Sequence, residues 1–145
     1  MTSVHDVAAY ILKQRGPMTA MKLQKLVYYA QAWSLVWDSR PLFREPIQAW
    51  ANGPVAPDLY REHKGLFTLE ASNLQKGSPS RLSAAAKATI DGVLRFYGPK
   101  SAHWLSELTH REPPWRDARK GLLPGVRSDR PITHAAMAEY YGSLS

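Results

Sequence analysis

Residues 22–37 read Lys-Leu-Gln-Lys-Leu-Val-Tyr-Tyr-Ala-Gln-Ala-Trp-Ser-Leu-Val-Trp. Apolar side chains recur there at steps of three and four, which places them on one side of an α-helix: Leu23, Leu26, Val27, Ala30, Trp33 and Trp37. Lys22, Lys25 and Gln31 stay off that stripe. No glycine or proline interrupts the stretch, and Thr19 offers an N-cap hydroxyl just before it. We therefore predict a long helix at about residues 20–37, packed on two or more sides as the centre of a mainly α domain.

The composition fits a single compact helical domain over residues 1–145. A chain of this length buries somewhat more than about two thirds of its unfolded surface without disulfides or a structural metal. It has no cysteine, which excludes thiolate metal sites and disulfides. The longest uncharged run, residues 26–37, is too short to cross a bilayer, and the first residues show a capped, charged helix instead of an apolar signal segment. We expect a cytoplasmic protein with no membrane partner.

The formal charge of +7 raises the question of nucleic-acid binding. The basic residues are spread through the chain, and acidic residues interrupt their densest group, which contains Arg111, Arg116, Arg119, Lys120, Arg127 and Arg130. This pattern favours a mildly basic, solvated surface over a nucleic-acid partner.

Capping residues, glycines and prolines mark the ends of the segments around the central helix. A first amphipathic helix begins after Ser3 and ends at Gly16-Pro17. Pro41, Pro46, Pro54 and Pro57 forbid a long helix, so we predict a small β hairpin or extended arms at about residues 41–55. Residues 68–81 have the composition of an exposed, flexible loop. Further helices are predicted at residues 58–66, 84–97 and 101–110, with a short one from Pro114 and a last one after Thr133.

Residues 11–26 also resemble a helix-turn-helix DNA reader, in which a Gly-Pro turn leads into the second helix. A DNA reader needs another turn near Val27 to Ala30, and no helix breaker occurs until Asp38. A DNA-binding transcriptional regulator is therefore the alternative function, and structural packing is the preferred interpretation of these helices.

Few residues suggest chemistry. His103, Glu107 and His110 are spaced to share one helix face, where they could bind a metal. We favour surface pairing instead, with His110 bonded to the Pro-Pro turn, because three ligands on one straight helix seldom converge. The sequence shows no phosphate-binding loop, nucleophile elbow or paired carboxylates. We predict no enzymatic activity, no cofactor and no metal site, and we expect the five tryptophans to lie in the core.

Three blocks of the chain, in order, resemble the Panacea domain of SocA-like antitoxins and phage-associated GepA-type proteins. They are Met21 to Trp33; Pro41-Leu42-Phe43 followed by Ile47 to Pro57 and Leu59-Tyr60; and Leu105 to Trp115 with Ala118-Arg119. The resemblance covers nearly the whole chain.

This resemblance implies an antitoxin that binds and neutralises a cognate toxin encoded in the same operon. Members of the family inhibit toxins directly, and the SocA type delivers its toxin to the ClpXP protease. The family pairs one domain with toxins of unrelated folds, so the resemblance does not name the partner. Some members carry an added DNA-binding domain, for which we expect no room in this chain.

We predict that the toxin contacts the stiff, aromatic segment between residues 50 and 60. The residues assigned to this partner-binding surface are Trp50, Asn52, Gly53, Pro54, Val55, Pro57 and Tyr60. The alternative is that this segment only covers the central helix. The basic residues Arg116, Arg119 and Lys120 form a second candidate surface.

Overall fold

The computed structural model describes residues 2–145, which are mainly helical. They contain the α-helices α1 (Val4–Arg15), α2 (Ala20–Trp37), α3 (Pro57–His63), α4 (Ala84–Tyr97), α5 (Ala102–Arg111), α6 (Pro113–Ala118) and α7 (His134–Ser143). Two short antiparallel pairs join β1 (Met18–Thr19) to β4 (Thr68–Leu69) and β2 (Gln48–Trp50) to β3 (Gly53–Val55). Single 3-10 turns lie at Ala71–Asn73 and Pro79–Arg81. The predictions of a mainly α fold and of a small hairpin within residues 41–55 are confirmed.

Helix α2 is the centre of the fold. The Thr19 hydroxyl accepts a hydrogen bond from the Lys22 amide at 3.2 Å, as predicted for the N-cap. The helix packs against α1, α4, α5, α7 and β3, and its middle residues, from Leu23 to Ala32, are all buried. Burial extends to polar side chains on every side, including Lys25 and Gln31. The expectation that several elements surround this helix is therefore confirmed.

Two buried glutamines of α2 hold the extended segment that follows it. The Gln31 carboxamide accepts from the Leu42 amide at 2.7 Å and donates to the Phe43 carbonyl at 2.8 Å. One heptad earlier, the Gln24 carboxamide accepts from the Ala56 amide at 2.9 Å and donates to the Ala56 carbonyl at 3.3 Å. Each carboxamide accepts from a backbone N–H and donates to a backbone C=O, which is the pairing that the backbone of a neighbouring strand would provide. Both ends of residues 42–56 are thus tied to the central helix.

Two expectations about packing are wrong, the first only in part. Residues 68–81 are largely exposed, as expected, but they are not a free loop, because Leu69 and Leu74 are buried in the core and the Ser78 amide donates to Asp6 Oδ1 at 2.8 Å. The tryptophans also do not fill the core: Trp37 is 50% exposed, Trp104 is 37% exposed, and the other three are half-buried. Tyrosines from α2 and α7 take the innermost positions, where their hydroxyls find partners.

Within residues 2–145, no helix combines the length and the apolar character needed to span a membrane.

Candidate functional site

The β2–β3 hairpin and the first half of α2 border an open cleft of about 610 Å³. Its walls also include the end of α3 and residues 127–129 of the loop before α7. The lining residues are Ala20, Met21, Gln24, Lys25, Gln48, Trp50, Ala51, Asn52, Val55, Tyr60, His63, Arg127, Ser128 and Asp129. Four of the predicted partner-binding residues, Trp50, Asn52, Val55 and Tyr60, therefore line one cleft. The sequence placed them in one segment but did not reveal the cleft.

Two side chains, one from α6 and one from its C-cap residue, hold the hairpin backbone. Trp115 Nε1 donates to the Trp50 carbonyl at 2.8 Å, and Arg119 Nη1 donates to the Ala49 carbonyl at 3.0 Å. At the turn, Gly53 has a φ of 126°, a conformation that favours glycine. Because the backbone is already held, a partner that docks here loses little conformational entropy.

An aromatic pair forms part of the cleft wall. The rings of Trp50 and Tyr60 meet edge to face with centroids 5.0 Å apart, and Tyr60 in turn meets His63 at 5.4 Å. Trp50 Nε1 donates to Gln48 Oε1 at 2.9 Å, which orients the indole. Both rings remain partly exposed. Half-exposed, preoriented Trp and Tyr side chains are the residue types that most often dominate the energy of protein interfaces.

Gly53, Pro54 and Pro57, which were also assigned to the partner surface, are buried. Pro57 occupies the first position of α3, so the helix begins one residue before the predicted start at residue 58. These three residues shape the segment, whereas a partner could reach Asn52 and Tyr60. In the second candidate surface, Arg119 is buried, and its guanidinium donates to the Val126 carbonyl at 2.7 Å as well as to Ala49. Arg119 therefore cannot act as part of an exposed basic surface.

Lys25 lines the cleft and is only 2% exposed. No hydrogen bond or ion pair of its ammonium group occurs within the described residues, although the nitrogen itself is not fully enclosed, and burial of the side chain lowers its pKa to about 8. Nζ lies against Gly53, where an added Cβ would come within 2.9 Å of it. The sequence pattern placed Lys25 off the apolar stripe of the helix and did not indicate a role in a site. The burial of Lys25 could have been predicted, because a helix that is apolar on more than one side offers little solvated surface for a lysine.

His110 lies behind the Asn52-Gly53 turn instead of on the exposed face of α5. Its ring packs against Trp115 with centroids 4.2 Å apart, and Nε2 is buried without a partner. Burial and the nearby charge of Lys25 lower the pKa of His110. His103 pairs with Glu107 at 3.1 Å on the surface, as expected, so the structure separates His110 from the other two residues considered as metal ligands. In residues 2–145, no three His, Asp or Glu side chains form a group that could hold a metal.

Comparison with known proteins identifies the family. Residues 23–116 match the family model described as "Antitoxin SocA-like, Panacea domain". No curated protein and no solved structure is significantly similar to the chain. The matched range contains most of α2, the whole hairpin, α3 and α5, and thus most of the cleft wall. The chain belongs to the SocA-like antitoxin family and carries its Panacea domain.

Proposed function

We propose that this protein is an antitoxin that neutralises a cognate toxin protein by direct contact at the cleft between α2 and the β2–β3 hairpin. Membership in the SocA-like family supports an antitoxin-like, non-enzymatic role. The toxin is expected to be encoded in the same operon, and both proteins would meet in the cytoplasm. A single domain over residues 1–145 suffices for this role.

The observation that carries the proposal is the aromatic wall of a preformed cleft. Trp50 and Tyr60 lie on a backbone that Gln24, Trp115 and Arg119 hold in place. A rigid backbone with half-exposed aromatic rings matches the anatomy of an interface hot spot, where truncation of a central residue costs at least about 2 kcal/mol of binding energy. The cleft holds no arrangement of nucleophile, base and orienting group that would indicate catalysis among the described residues.

The test is coexpression with the neighbouring gene. That gene is expected to stop growth when expressed alone and to be tolerated when this protein is present. The double variant Asn52→Ala/Tyr60→Ala should lose protection, because it removes the accessible part of the cleft wall. Its melting temperature should stay within a few degrees of the wild type, since Tyr60 is only half-buried and the loss of its edge-to-face contacts with Trp50 and His63 costs about 1 kcal/mol in all.

Phe96→Ala is the matched control. Phe96 is an exposed aromatic residue of α4 outside the cleft, so its truncation should preserve full protection. Protection by a folded Asn52→Ala/Tyr60→Ala variant would place the interface elsewhere. A neighbouring gene that is harmless when expressed alone would count against the antitoxin function itself.

The amount of toxin separates two modes of neutralisation. Direct inhibition leaves the toxin level unchanged during coexpression, whereas delivery to ClpXP lowers it in cells that contain ClpX and not in cells that lack it. The family resemblance supports both modes. Sequence-specific promoter binding at physiological salt would instead favour the alternative of a transcriptional regulator.

A further inference from the structure

We propose that the cleft is a carboxylate-binding site in which Lys25 pairs with an acidic group of the docked protein partner. The inference rests on the proposed function in that it names the chemistry by which the same cleft recognises its toxin. The carboxylate would bind at Lys25 on the floor of the cleft, whereas the proposed function relies on the aromatic wall of Trp50 and Tyr60.

The first support is the isolation of the Lys25 ammonium. The residue is 2% exposed, no hydrogen bond or ion pair of its ammonium group occurs within residues 2–145, and desolvation is the one cause that lowers its pKa. The nitrogen is not fully enclosed and reaches the cleft. Buried charges in folded proteins are normally paired, because an unpaired charge loses its hydration without compensation. A lysine in this state is explained if its counter-ion arrives with a ligand.

The second support is the space around the ammonium. Lys25 borders an open cleft, so an incoming group reaches it from solvent. At position 53, any side chain would collide with the end of Lys25, and glycine leaves that space free. Nearby, His110 Nε2 is a buried nitrogen without a hydrogen-bond partner in residues 2–145. Lys25 Nζ lies against Gly53, and the Asn52 backbone lies beside the His110 ring.

The charges at the cleft indicate which ligand fits. Lys25 and Arg127 are positive and Asp129 is negative, while burial lowers the pKa of His63 and favours its neutral form. One buried ammonium with an apolar and aromatic wall suits a single carboxylate on an apolar peptide. A nucleic-acid backbone would need a longer track of cations than this cleft provides.

Three short peptides test the site on the isolated protein. Acetyl-Leu-Glu-Leu-amide presents a side-chain carboxylate, acetyl-Leu-Leu-Leu with a free acid presents a terminal one, and acetyl-Leu-Gln-Leu-amide is the neutral control. Binding is followed by the NMR shifts of the Asn52 and Gly53 amides. At least one acidic peptide should bind at least about tenfold more tightly than the neutral peptide, since a hydrogen bond to a charged group contributes about 1.5–3 kcal/mol.

Lys25→Met should remove this preference and bring the acidic peptide down to the affinity of the neutral one. Lys22→Met is the matched control: it removes the same charge from the same helix, about one turn from Lys25 and outside the cleft lining, and should leave the preference unchanged. Whichever acidic peptide binds identifies the source of the carboxylate. Equal binding of all three peptides, or an undiminished preference in a folded Lys25→Met variant, would overturn the inference.

Coexpression with the toxin keeps the two proposals distinguishable. If Lys25→Met fails to protect whereas Lys22→Met protects, both proposals are supported. Full protection by Lys25→Met, with no carboxylate preference in the peptides, leaves the antitoxin function standing and removes the carboxylate site. A carboxylate preference that depends on Lys25, combined with a harmless neighbouring gene, supports the site and rejects the antitoxin function.

Discussion

The two regions around Glu112 and Lys25 show two different ways in which this fold buries a charge. Glu112 is 5% exposed, and its Oε1 accepts hydrogen bonds from the hydroxyls of Tyr29 and Tyr141, both at 2.7 Å. Burial raises the pKa of Glu112, and the two hydroxyls lower it in part. Lys25 is buried to a similar degree, but desolvation is the one cause of its pKa shift and no partner offsets it.

The difference indicates that the buried Glu112 stabilises the fold, whereas the buried Lys25 is available to bind a ligand. The Glu112 region joins α2 to α7 through a closed set of tyrosine hydroxyls, in which Tyr28 and Tyr141 also meet at 3.0 Å. Such a network is complete without a ligand and defines how the helices pack. The Lys25 region is open and incomplete. We therefore expect loss of the first charge to weaken the fold, and loss of the second to strengthen it.

The largest expected effect follows Glu112→Ala. This substitution removes the acceptor of two buried hydroxyls and leaves a cavity, so we expect the free energy of unfolding to fall by about 3 kcal/mol. Denaturant unfolding measures it. Glu107→Ala is the control, because the Glu107 side chain is 61% exposed, and its change should stay within about 0.5 kcal/mol. A loss below about 1 kcal/mol for Glu112→Ala would show that the tyrosines bond adequately to one another without the carboxylate.

A smaller effect of opposite sign is expected for Lys25→Met. Methionine keeps the straight-chain shape and removes the unpaired charge. The drop in pKa from 10.5 to about 8 sets the cost of that charge at up to about 3 kcal/mol, and after relaxation we expect a gain of about 2 kcal/mol at pH 7. Lys22→Met should change stability by less than about 0.5 kcal/mol. If Lys25→Met instead destabilised the protein, Lys25 would stabilise the fold as Glu112 does, and the two buried charges would not differ in role.

Most of the fold could be predicted from the sequence because its signals are local. The periodicity of residues 22–37, the N-cap hydroxyls of Ser83 and Thr133, and the prolines at positions 54 and 57 each act within a few residues. The hairpin followed in the same way from turn chemistry. Residues 68–81 were misjudged because their two buried leucines, Leu69 and Leu74, are too far apart to show a period.

The candidate site was only half predictable. Trp50 and Tyr60 are near in sequence and of a residue type common in interfaces, so the segment could be named in advance. The cleft depends on contacts between distant positions: Gln24 with Ala56, Trp115 with Trp50, and Lys25 with Gly53. No local pattern encodes these pairs. Lys25 was read as a residue off the apolar stripe, and only the packing of β3 over α2 shows that its charge is buried.

The smallest expected effect is a change with pH in the free energy of unfolding that is caused by the titration of Lys25. Because the folded pKa of Lys25 is about 8 and the unfolded value is 10.5, the unfolded chain binds more protons between these limits. Stability contributed by this group therefore rises with pH in that window. Burial lowers the pKa values of His63 and His110, so both rings stay neutral above pH 7 and do not mask the effect.

The advantage of Lys25→Met over the wild type should accordingly shrink as the wild-type ammonium loses its proton in the folded state. Between about pH 7 and about pH 9 we expect the difference in unfolding free energy to narrow by about 1 kcal/mol, by the linkage relation. Unfolding of both proteins in urea at the two pH values measures the difference, in which contributions from the other titrating groups largely cancel. A constant difference would mean that the ammonium titrates as in water and is therefore hydrated in the folded protein. Of the two charged side chains compared, only Glu112 would then be removed from water by folding.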